Sequence, residues 1–424
     1  MYTAPRGTQD ILPEEQPYWQ YVEQRIQAIA QLYGYQPMDV PIFEQTAIFV
    51  RGVGQGTDMV DKEMYSLRDR GGEELTLRPE FTAGVVRAYL EHGMHVWPQP
   101  VKLYCIGPAF RYERPQAGRY RQHYQVSIEA LGEQDPALDV EVMSVAWHLY
   151  NDLGFHNLAF QLNSIGCPEC RPGYIEVLRA YYAHHLEEIC EDCHRRLELN
   201  PLRVLDCKAT SCQPIIPGAP HSTDFLCQEC QGHFSTLLGY LDRLGRPYTL
   251  NHRLVRGLDY YTKTVFEVWA EGIGAQNAVC GGGRYDVLAE SLGGPHVPGV
   301  GFGSGLERII LTMKGQGVQV PPLSQPQVMI LYLGQEPKEA ALQLANELRV
   351  AGIRTDTSFG DRSLRAQLRQ ADRMGVAYAC ILGEEEMRAG LVAVKDMVAG
   401  GQRSVAKESI LGWLKAHLGV EEGA

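Results

Sequence analysis

The sequence predicts an α+β protein with a sheet-based core, a mostly helical insertion and a separate C-terminal α/β unit. Three observations carry this. Residues 107–131, GPAFRYERPQAGRYRQHYQVSIEAL, read as a strand into Arg111, a Pro115/Gly118 turn and a second strand from Tyr120 to Leu131. Eight of the eleven cysteines crowd into residues 167–230, setting that segment apart. After a Gly/Pro/Gln-rich linker, Gly315–Pro326, strand and helix patterns alternate to the end, which implies a parallel or mixed sheet. The expected boundaries are 1–166 and 237–322 for the two parts of the core, 167–236 for the insertion and 327–424 for the last unit.

At 424 residues the chain has ample length for two to four domains. Its 45% apolar and 21% charged content is ordinary for a soluble globular protein. Apolar runs such as Val328–Leu333 are far too short to span a bilayer. The start, MYTAPRGTQD, has no basic segment followed by an apolar one, so a cytoplasmic protein without a membrane partner is expected. A net charge of −12 argues against a general nucleic-acid binder, and any RNA contact must rest on local basic patches. Cytoplasmic cysteines are more often ligands or buried thiols than disulfides.

In chain order, apolar spacing at Tyr18, Val22, Ile26 and Ile29 predicts a helix over Pro13–Tyr33, stopped by Gly34. Met38–Glu44 is strand-like around Pro41, as an edge strand would be. Thr76-Leu77-Arg78-Pro79-Glu80-Phe81-Thr82 opens a helix, where Glu80 and Thr82 suit a capping arrangement. The four arginines between 111 and 121 fit phosphate oxygens, though a solvated surface hairpin would carry them too. Gln125 and Glu129 share one face of the second strand. A carboxylate within the apolar run 126–131 needs a partner, either a ligand N–H or a neighbouring arginine.

Leu158–Gly166 reads as a strand leaving the core, and helices are expected near Tyr174–Cys193 and Phe225–Leu244. Cys167/Cys170, Cys190/Cys193 and Cys227/Cys230 are CxxC pairs, and Cys207 with Cys212 is a looser fourth. The gap between the first two pairs fits a zinc ribbon, so the eight cysteines are candidate ligands of structural zinc. Tyr260 and Tyr261 could be two core aromatics facing opposite ways. In the last unit the sequence predicts strand Val328–Leu333, helix Pro337–Ala351, a strand near Arg354–Asp356 and helix Ser363–Met374. Strand Tyr378–Leu382, a hairpin and helix Ser409–His417 follow. Arg362, Arg365, Arg369 and Arg373 share one helix face, a row that fits RNA phosphate or is offset by Asp361 and Asp372.

Several of these strings carry a resemblance. Phe110-Arg111-Tyr112-Glu113 resembles motif 2 of the class II aminoacyl-tRNA synthetases. Glu113-Arg114-Pro115-Gln116, Gly118-Arg119-Tyr120-Arg121-Gln122 and Gln125 are similar to its histidyl-tRNA synthetase version. Pro41 resembles the motif 1 proline, and Gly56-Thr57-Asp58 with Lys62-Glu63-Met64-Tyr65 a loop and strand of the histidyl enzymes. Leu254-Val255-Arg256-Gly257-Leu258-Asp259-Tyr260-Tyr261-Thr262 and Gly281-Gly282-Gly283-Arg284-Tyr285-Asp286 resemble the two histidyl signatures. Gly299–Arg308 resembles motif 3.

The resemblance covers nearly the whole chain. It implies an antiparallel-sheet catalytic core, a C-terminal anticodon-binding domain and a homodimer built on motif 1. The implied reaction is histidine activation by ATP with Mg2+, followed by transfer to tRNA(His). Arg256 and Arg111 would stabilise the α-phosphate. In this family an arginine matching Arg256 takes the place of a magnesium ion. Glu80, Thr82, Arg111, Gln125, Glu129, Arg256, Tyr260 and Tyr261 would hold histidine, with Glu129 on the imidazole. Arg111, Glu113, His123 and Arg308 would hold ATP. Where the family has Phe-His this chain has His123-Tyr124, and a histidine ring can still stack on adenine. The arginine row 362–373 falls in the anticodon domain, and the insertion lies near the acceptor arm in related enzymes. No GxxxxGK[ST] segment occurs, so a P-loop is not the ATP site. Two rivals stand beside this: a silent paralogue regulating the phosphoribosyltransferase of histidine biosynthesis, which lacks the C-terminal domain, and a tRNA-binding scaffold without catalysis.

Overall fold

The structure, a computed structural model, describes residues 2–54, 57–114, 118–270 and 278–419. Gly56 and the Pro115–Gln116 part of the expected turn lie outside them. The chain forms two compact units, Met1–Pro321 and Pro322–Ala424.

The first unit is built on an eight-stranded sheet. Across it run Gln36–Pro37, Val101–Phe110, Gln122–Leu131, Gly299–Gly305, Ala278–Arg284, Thr262–Trp269, Ala159–Ser164 and Tyr248–Leu250. The six central strands pair antiparallel, and only the two short edge strands pair parallel. The expected hairpin is present, with Phe110 opposite Gln122.

Strand alternation gives this sheet two different faces. Val126, Ile128 and Ala130 point one way with Val300, Phe302, Phe266 and Val268. That face is covered by helices Gln16–Leu32, Pro136–Asp152, Gln228–Arg243 and Leu306–Gly315, which bury Trp19, Val22, Met143, Leu149, Leu237, Leu241, Ile309 and Met313 against it. Phe160, Phe266 and Phe302 are essentially sealed there, and cutting any one back to alanine is expected to cost about 3–5 kcal/mol. The opposite face carries Gln125, Ser127, Glu129, Glu267 and the alternate glycines 281, 283, 301 and 303. A face of polar residues and glycines cannot be core. It is the floor of a site.

Two expectations about elements change. Strand pattern does not run through Met38–Glu44: Gln36–Pro37 pairs with the central sheet, while Phe43–Gln45 joins a small sheet with Tyr65–Arg68 and Glu74–Leu77. Pro37 and Pro41 lack the N–H that a continuous ladder needs. Likewise the helix expected over Tyr174–Cys193 is two helices, Arg171–Ala183 and Glu191–Leu199, with the turn Leu186–Glu188 between them. The insertion shares its core with the main sheet. Tyr174, Leu178, Tyr182 and Cys193 are buried in the same cluster as Val40, Phe81 and Val265.

The second unit is a five-stranded mixed sheet in the order Thr355–Thr357, Val328–Tyr332, Tyr378–Leu382, Leu391–Asp396, Gln402–Ala406. The first three strands are parallel and the last two antiparallel. Helix Leu364–Met374 docks through Gln367, whose side chain clasps both the N–H and the C=O of Tyr332 (3.1 and 2.7 Å). Its opposite face exposes Arg365, Arg369 and Arg373, with Arg362 just before the helix start.

Candidate active site

A cleft of about 220 Å³ opens over the polar face of the first unit's sheet. Its walls include Glu80, Thr82, Arg111, Glu113, His123, Gln125, Arg256, Tyr260, Tyr261 and Arg308. The glycines of the floor make the arrangement possible. Gly281 lies directly under the Arg256 guanidinium, Gly301 under the Glu129 carboxylate, and a Cβ on Gly303 would stand 2.8 Å from the amide nitrogen of Gln125. Any larger residue at these points would fill the space that the three side chains occupy.

Cations ring one end of the cleft. Arg256 lies flat on the floor, with Nη1 donating to Glu267 Oε1 at 2.9 Å, and Glu267 in turn accepts from the Trp269 indole (2.9 Å). Arg111 donates its Nε to the Pro79 carbonyl (2.8 Å), which fixes the guanidinium plane and leaves its Nη groups beside Glu113, 3.9 Å away. Arg119 also reaches Glu113, at 3.2 Å. Burial and the neighbouring Arg119 both pull the Arg308 pKa below its ordinary value, as expected where cations share a site.

The other end is acidic and hydroxylic. Glu80 caps the helix Thr82–Glu91, accepting from the N–H groups of Thr82 (2.6 Å) and Ala83 (2.9 Å). Burial nevertheless raises its pKa. Thr82 Oγ1 donates to Glu129 Oε1 at 2.7 Å, as does Ser127 Oγ, and the Tyr285 hydroxyl donates to Glu129 Oε2. Glu129 is 1% exposed. Burial pushes its pKa up to about 7 against the pull of the three hydroxyls. His123 moves the other way, down to about 3, because of its burial and then the Arg111 charge. Its ring is neutral, suited to stacking and not to proton transfer near neutral pH.

Comparison with known proteins places this geometry. A family model described as histidyl-tRNA synthetase matches residues 7–169 and 226–309, and one described as an anticodon binding domain matches residues 327–417. A histidine–tRNA ligase of Dehalococcoides mccartyi is 51% identical over 99% of this chain and all of its own length. The chain belongs to the histidyl-tRNA synthetase family. The histidine–tRNA ligase of Pelotomaculum thermopropionicum is 50% identical over 97% of each chain. The crystal structure of the apo histidyl-tRNA synthetase of S. aureus superposes with a TM-score of 0.82 at 36% identity, covering 98% of this chain and all of that one. A structure from Bacillus halodurans C, described as an ATP phosphoribosyltransferase regulatory subunit/histidyl-tRNA synthetase, has a TM-score of 0.64 over 90% of this chain and 99% of its own. At 20% identity it shows a shared fold alone.

Within this family frame, the structure brings together all but one of the residues expected to hold histidine and ATP. Glu129 is that one: it lies beneath the cleft wall and reaches it through Thr82. Among the described residues its partners are hydroxyls and no arginine. Tyr260 and Tyr261 do not face opposite ways as core aromatics would, since both line the cleft, with ring centroids 4.7 Å apart. Two residues escaped the sequence analysis. Tyr285 supports Glu129, and Arg284, fully buried, pairs with Asp139 (2.7 Å) and Asp286 (3.1 Å) and braces the strand beneath. The only signal for either was the Gly281–Asp286 string itself. Arg78 is also a brace. It is buried, donates to the Pro108 and Val40 carbonyls, and fixes the segment that carries Glu80.

The cysteines pair differently from the expected ribbon. Cys167 and Cys170 meet Cys227 and Cys230, while Cys190 and Cys193 meet Cys207 and Cys212. The first and last pairs stand where the chain enters and leaves the insertion, so the neck brings them together and the middle pairs close on each other. Arg362, Arg365, Arg369 and Arg373 lie in the second unit, and among the described residues none forms an ion pair with Asp361 or Asp372.

Glu129 yields a prediction. Its folded pKa of about 7 exceeds the ordinary value of 4.5, so the folded state holds a proton that the unfolded chain releases first. Its contribution is therefore fully present below pH 4.5 and is lost as pH rises through 7. Glu129→Gln should cancel this term. The variant's urea midpoint is expected to rise relative to the parent between pH 5 and 8, by up to about 3 kcal/mol in stability. A gap that does not change with pH would contradict the buried, uncompensated state of Glu129.

Proposed function

We propose that the cleft is where this chain, a histidine–tRNA ligase, joins L-histidine to ATP and passes the histidyl group to tRNA. The observation that carries this is the division of one cavity into a ring of guanidinium groups and an acidic, hydroxylic end. In the first step a histidine carboxylate oxygen attacks the α-phosphorus of ATP, which enters with its Mg2+. The bond to the β-phosphate breaks and pyrophosphate leaves. Both reactants are anions, and Arg256 and Arg111 offset their repulsion as charge builds at phosphorus. Glu113 and Arg308 hold the nucleotide, and the neutral His123 ring stacks on adenine. Glu80 and Gln125 accept the α-ammonium group beside Thr82. The imidazole sits between Thr82, Tyr260 and Tyr261 and donates an N–H to Glu129, which Tyr285 and Ser127 hold in place. In the second step a hydroxyl of the terminal ribose attacks the activated carbonyl, AMP leaves, and the hydroxyl proton passes to a substrate oxygen.

Pyrophosphate exchange into ATP tests this directly: it should depend on histidine and on no other common amino acid. Exchange that ignores histidine would overturn it.

The exposed arginines of the second unit support tRNA as a partner, through phosphates near the anticodon. Reversing Arg365 and Arg369 to glutamate should raise the KM for tRNA at least tenfold, increase salt sensitivity and leave pyrophosphate exchange unchanged. A homodimer is supported by exposed Ile42 and Phe43 beside a groove lined by Pro41, Ile48 and Arg51. Among the described residues no helix is long and apolar enough to cross a membrane, and the cytoplasm is the proposed location. Structural zinc is the proposed occupant of the insertion's cysteine sets, and none of the ions takes part in the chemistry.

A further inference from the structure

The two cysteine sets have the dimensions of mononuclear metal sites. In the neck set the sulfurs of Cys167 and Cys170 are 3.7 Å apart, and those of Cys167–Cys227 and Cys170–Cys230 are 3.9 Å apart. In the second set Cys190–Cys207 is 3.7 Å and Cys193–Cys212 is 3.9 Å. Four thiolates bound to zinc at ~2.3 Å in a tetrahedron stand about 3.8 Å apart. A disulfide would be near 2.05 Å, and an iron–sulfur cube holds its cysteines much farther apart. Backbone N–H groups already point at sulfur, from Cys167 to Cys170 (3.3 Å) and from Cys190 to Cys212 (3.2 Å).

The neck set is tied to the Tyr261 wall of the cleft through the backbone of residues 261–263. Lys263, two residues after Tyr261, has φ +48°, an unusual conformation for a residue with a side chain, which must be held by its surroundings. Its N–H donates to the Gly166 carbonyl and its own carbonyl accepts from the Ile165 N–H, both at 2.9 Å. Its ammonium pairs with Glu229 (2.8 Å) and Asp286 (3.4 Å). Arg171 donates to the carbonyls of Tyr261 (2.5 Å), Gly166 (3.1 Å) and Ile165 (3.1 Å). Gly166 precedes Cys167, Arg171 follows Cys170, and Glu229 sits between Cys227 and Cys230. Apart from Asp286, each of these partners is within two residues of a neck cysteine. Gly166 itself has φ +71°, and a Cβ there would stand 2.7 Å from the Cys170 sulfur.

We infer that a zinc ion held by Cys167, Cys170, Cys227 and Cys230 is a positioning element for the histidine pocket, keeping the Lys263 turn and the Tyr261 wall in place. The inference rests on the assignment of the cleft as the histidine site. The second set meets the same 254–262 stretch two residues before Tyr261, through Asn200 on Asp259 (2.6 Å), and the loop at Asp58 through Arg203 (3.2 Å), with no contact to the Lys263 turn among these bonds. It serves as the internal comparison for metal counting.

The test uses the full-length protein purified from zinc-replete culture. Elemental analysis should find two zinc ions per chain, and cobalt substitution should give the charge-transfer absorption of tetrathiolate sites. Cys230→Ser should leave one ion and raise the KM for histidine about tenfold, with the KM for ATP within twofold of the parent. Arg171→Met leaves every cysteine in place. It should keep two ions and raise the histidine KM several-fold, with partial recovery in Arg171→Lys. If Cys230→Ser fails to fold, the Arg171 pair decides alone. An unchanged histidine KM in Arg171→Met, or in Cys230→Ser with one ion lost, overturns the inference, as does a parent protein with less than one ion per chain. Histidine-dependent pyrophosphate exchange by the parent is measured alongside. Its presence without metal sinks only this inference, whereas its absence sinks the assignment of the cleft.

Discussion

Arg256→Ala is expected to reduce histidine-dependent pyrophosphate exchange by about a thousandfold while histidine still binds within a few-fold of the parent. A unit charge ~4 Å from the charge developing at phosphorus is worth about 4 kcal/mol at an effective dielectric of 20, which corresponds to roughly three orders of magnitude in rate. Arg256 is fixed before substrate arrives, by Glu267 and by the glycine floor, so little reorganisation is needed when the charge appears. Because the carboxylate and phosphate repel mainly as they approach, the loss should fall on kcat more than on KM for histidine. Single-turnover measurement of adenylate formation separates the two. Exchange that survives within a few-fold would remove Arg256 from the proposed role.

Gly281→Ala should reproduce much of this loss without touching a charged residue. A methyl group at 281 would occupy the space of the Arg256 guanidinium, the mobile end of a long side chain, and nothing else lies as close. The arginine can swing away, so folding should survive with a melting temperature within a few degrees of the parent, while exchange falls about 10²- to 10³-fold. Gly282→Ala is the contrast. Its Cβ would stand 2.6 Å from Phe302 Cβ and 2.8 Å from Phe302 Cα on the packed face, where no side-chain end can yield, so it should lose stability and not merely rate. If Gly281→Ala keeps full exchange, the close fit between floor and arginine has no catalytic importance.

These glycines show what the sequence alone could reveal and what it could not. The hairpin, the helix starts and the final α/β unit were legible because each rests on a local pattern: Pro/Gly turns, a capping carboxylate, and strands alternating with helices. The residues of the cleft were legible as strings. Their spatial order was not, since Gly301 opposite Glu129 and Gly281 opposite Glu267 are facts of register between strands distant in sequence. The same holds for Glu129. Its need for a partner followed from burial within an apolar strand, but that the partners would be Thr82, Ser127 and Tyr285 depended on three separate segments meeting. The cysteine spacing suggested a ribbon of the first two pairs. The neck of the insertion overrode spacing by bringing the first and last pairs together.

The most direct test of the account is a structure of the protein with a non-hydrolysable histidyl-adenylate analogue. The phosphate is expected within hydrogen-bonding distance of both Arg111 and Arg256, the adenine against His123 and Arg308, and an imidazole nitrogen on Glu129. An analogue bound with its phosphate away from both arginines, or its imidazole at the Arg308 end, would contradict it.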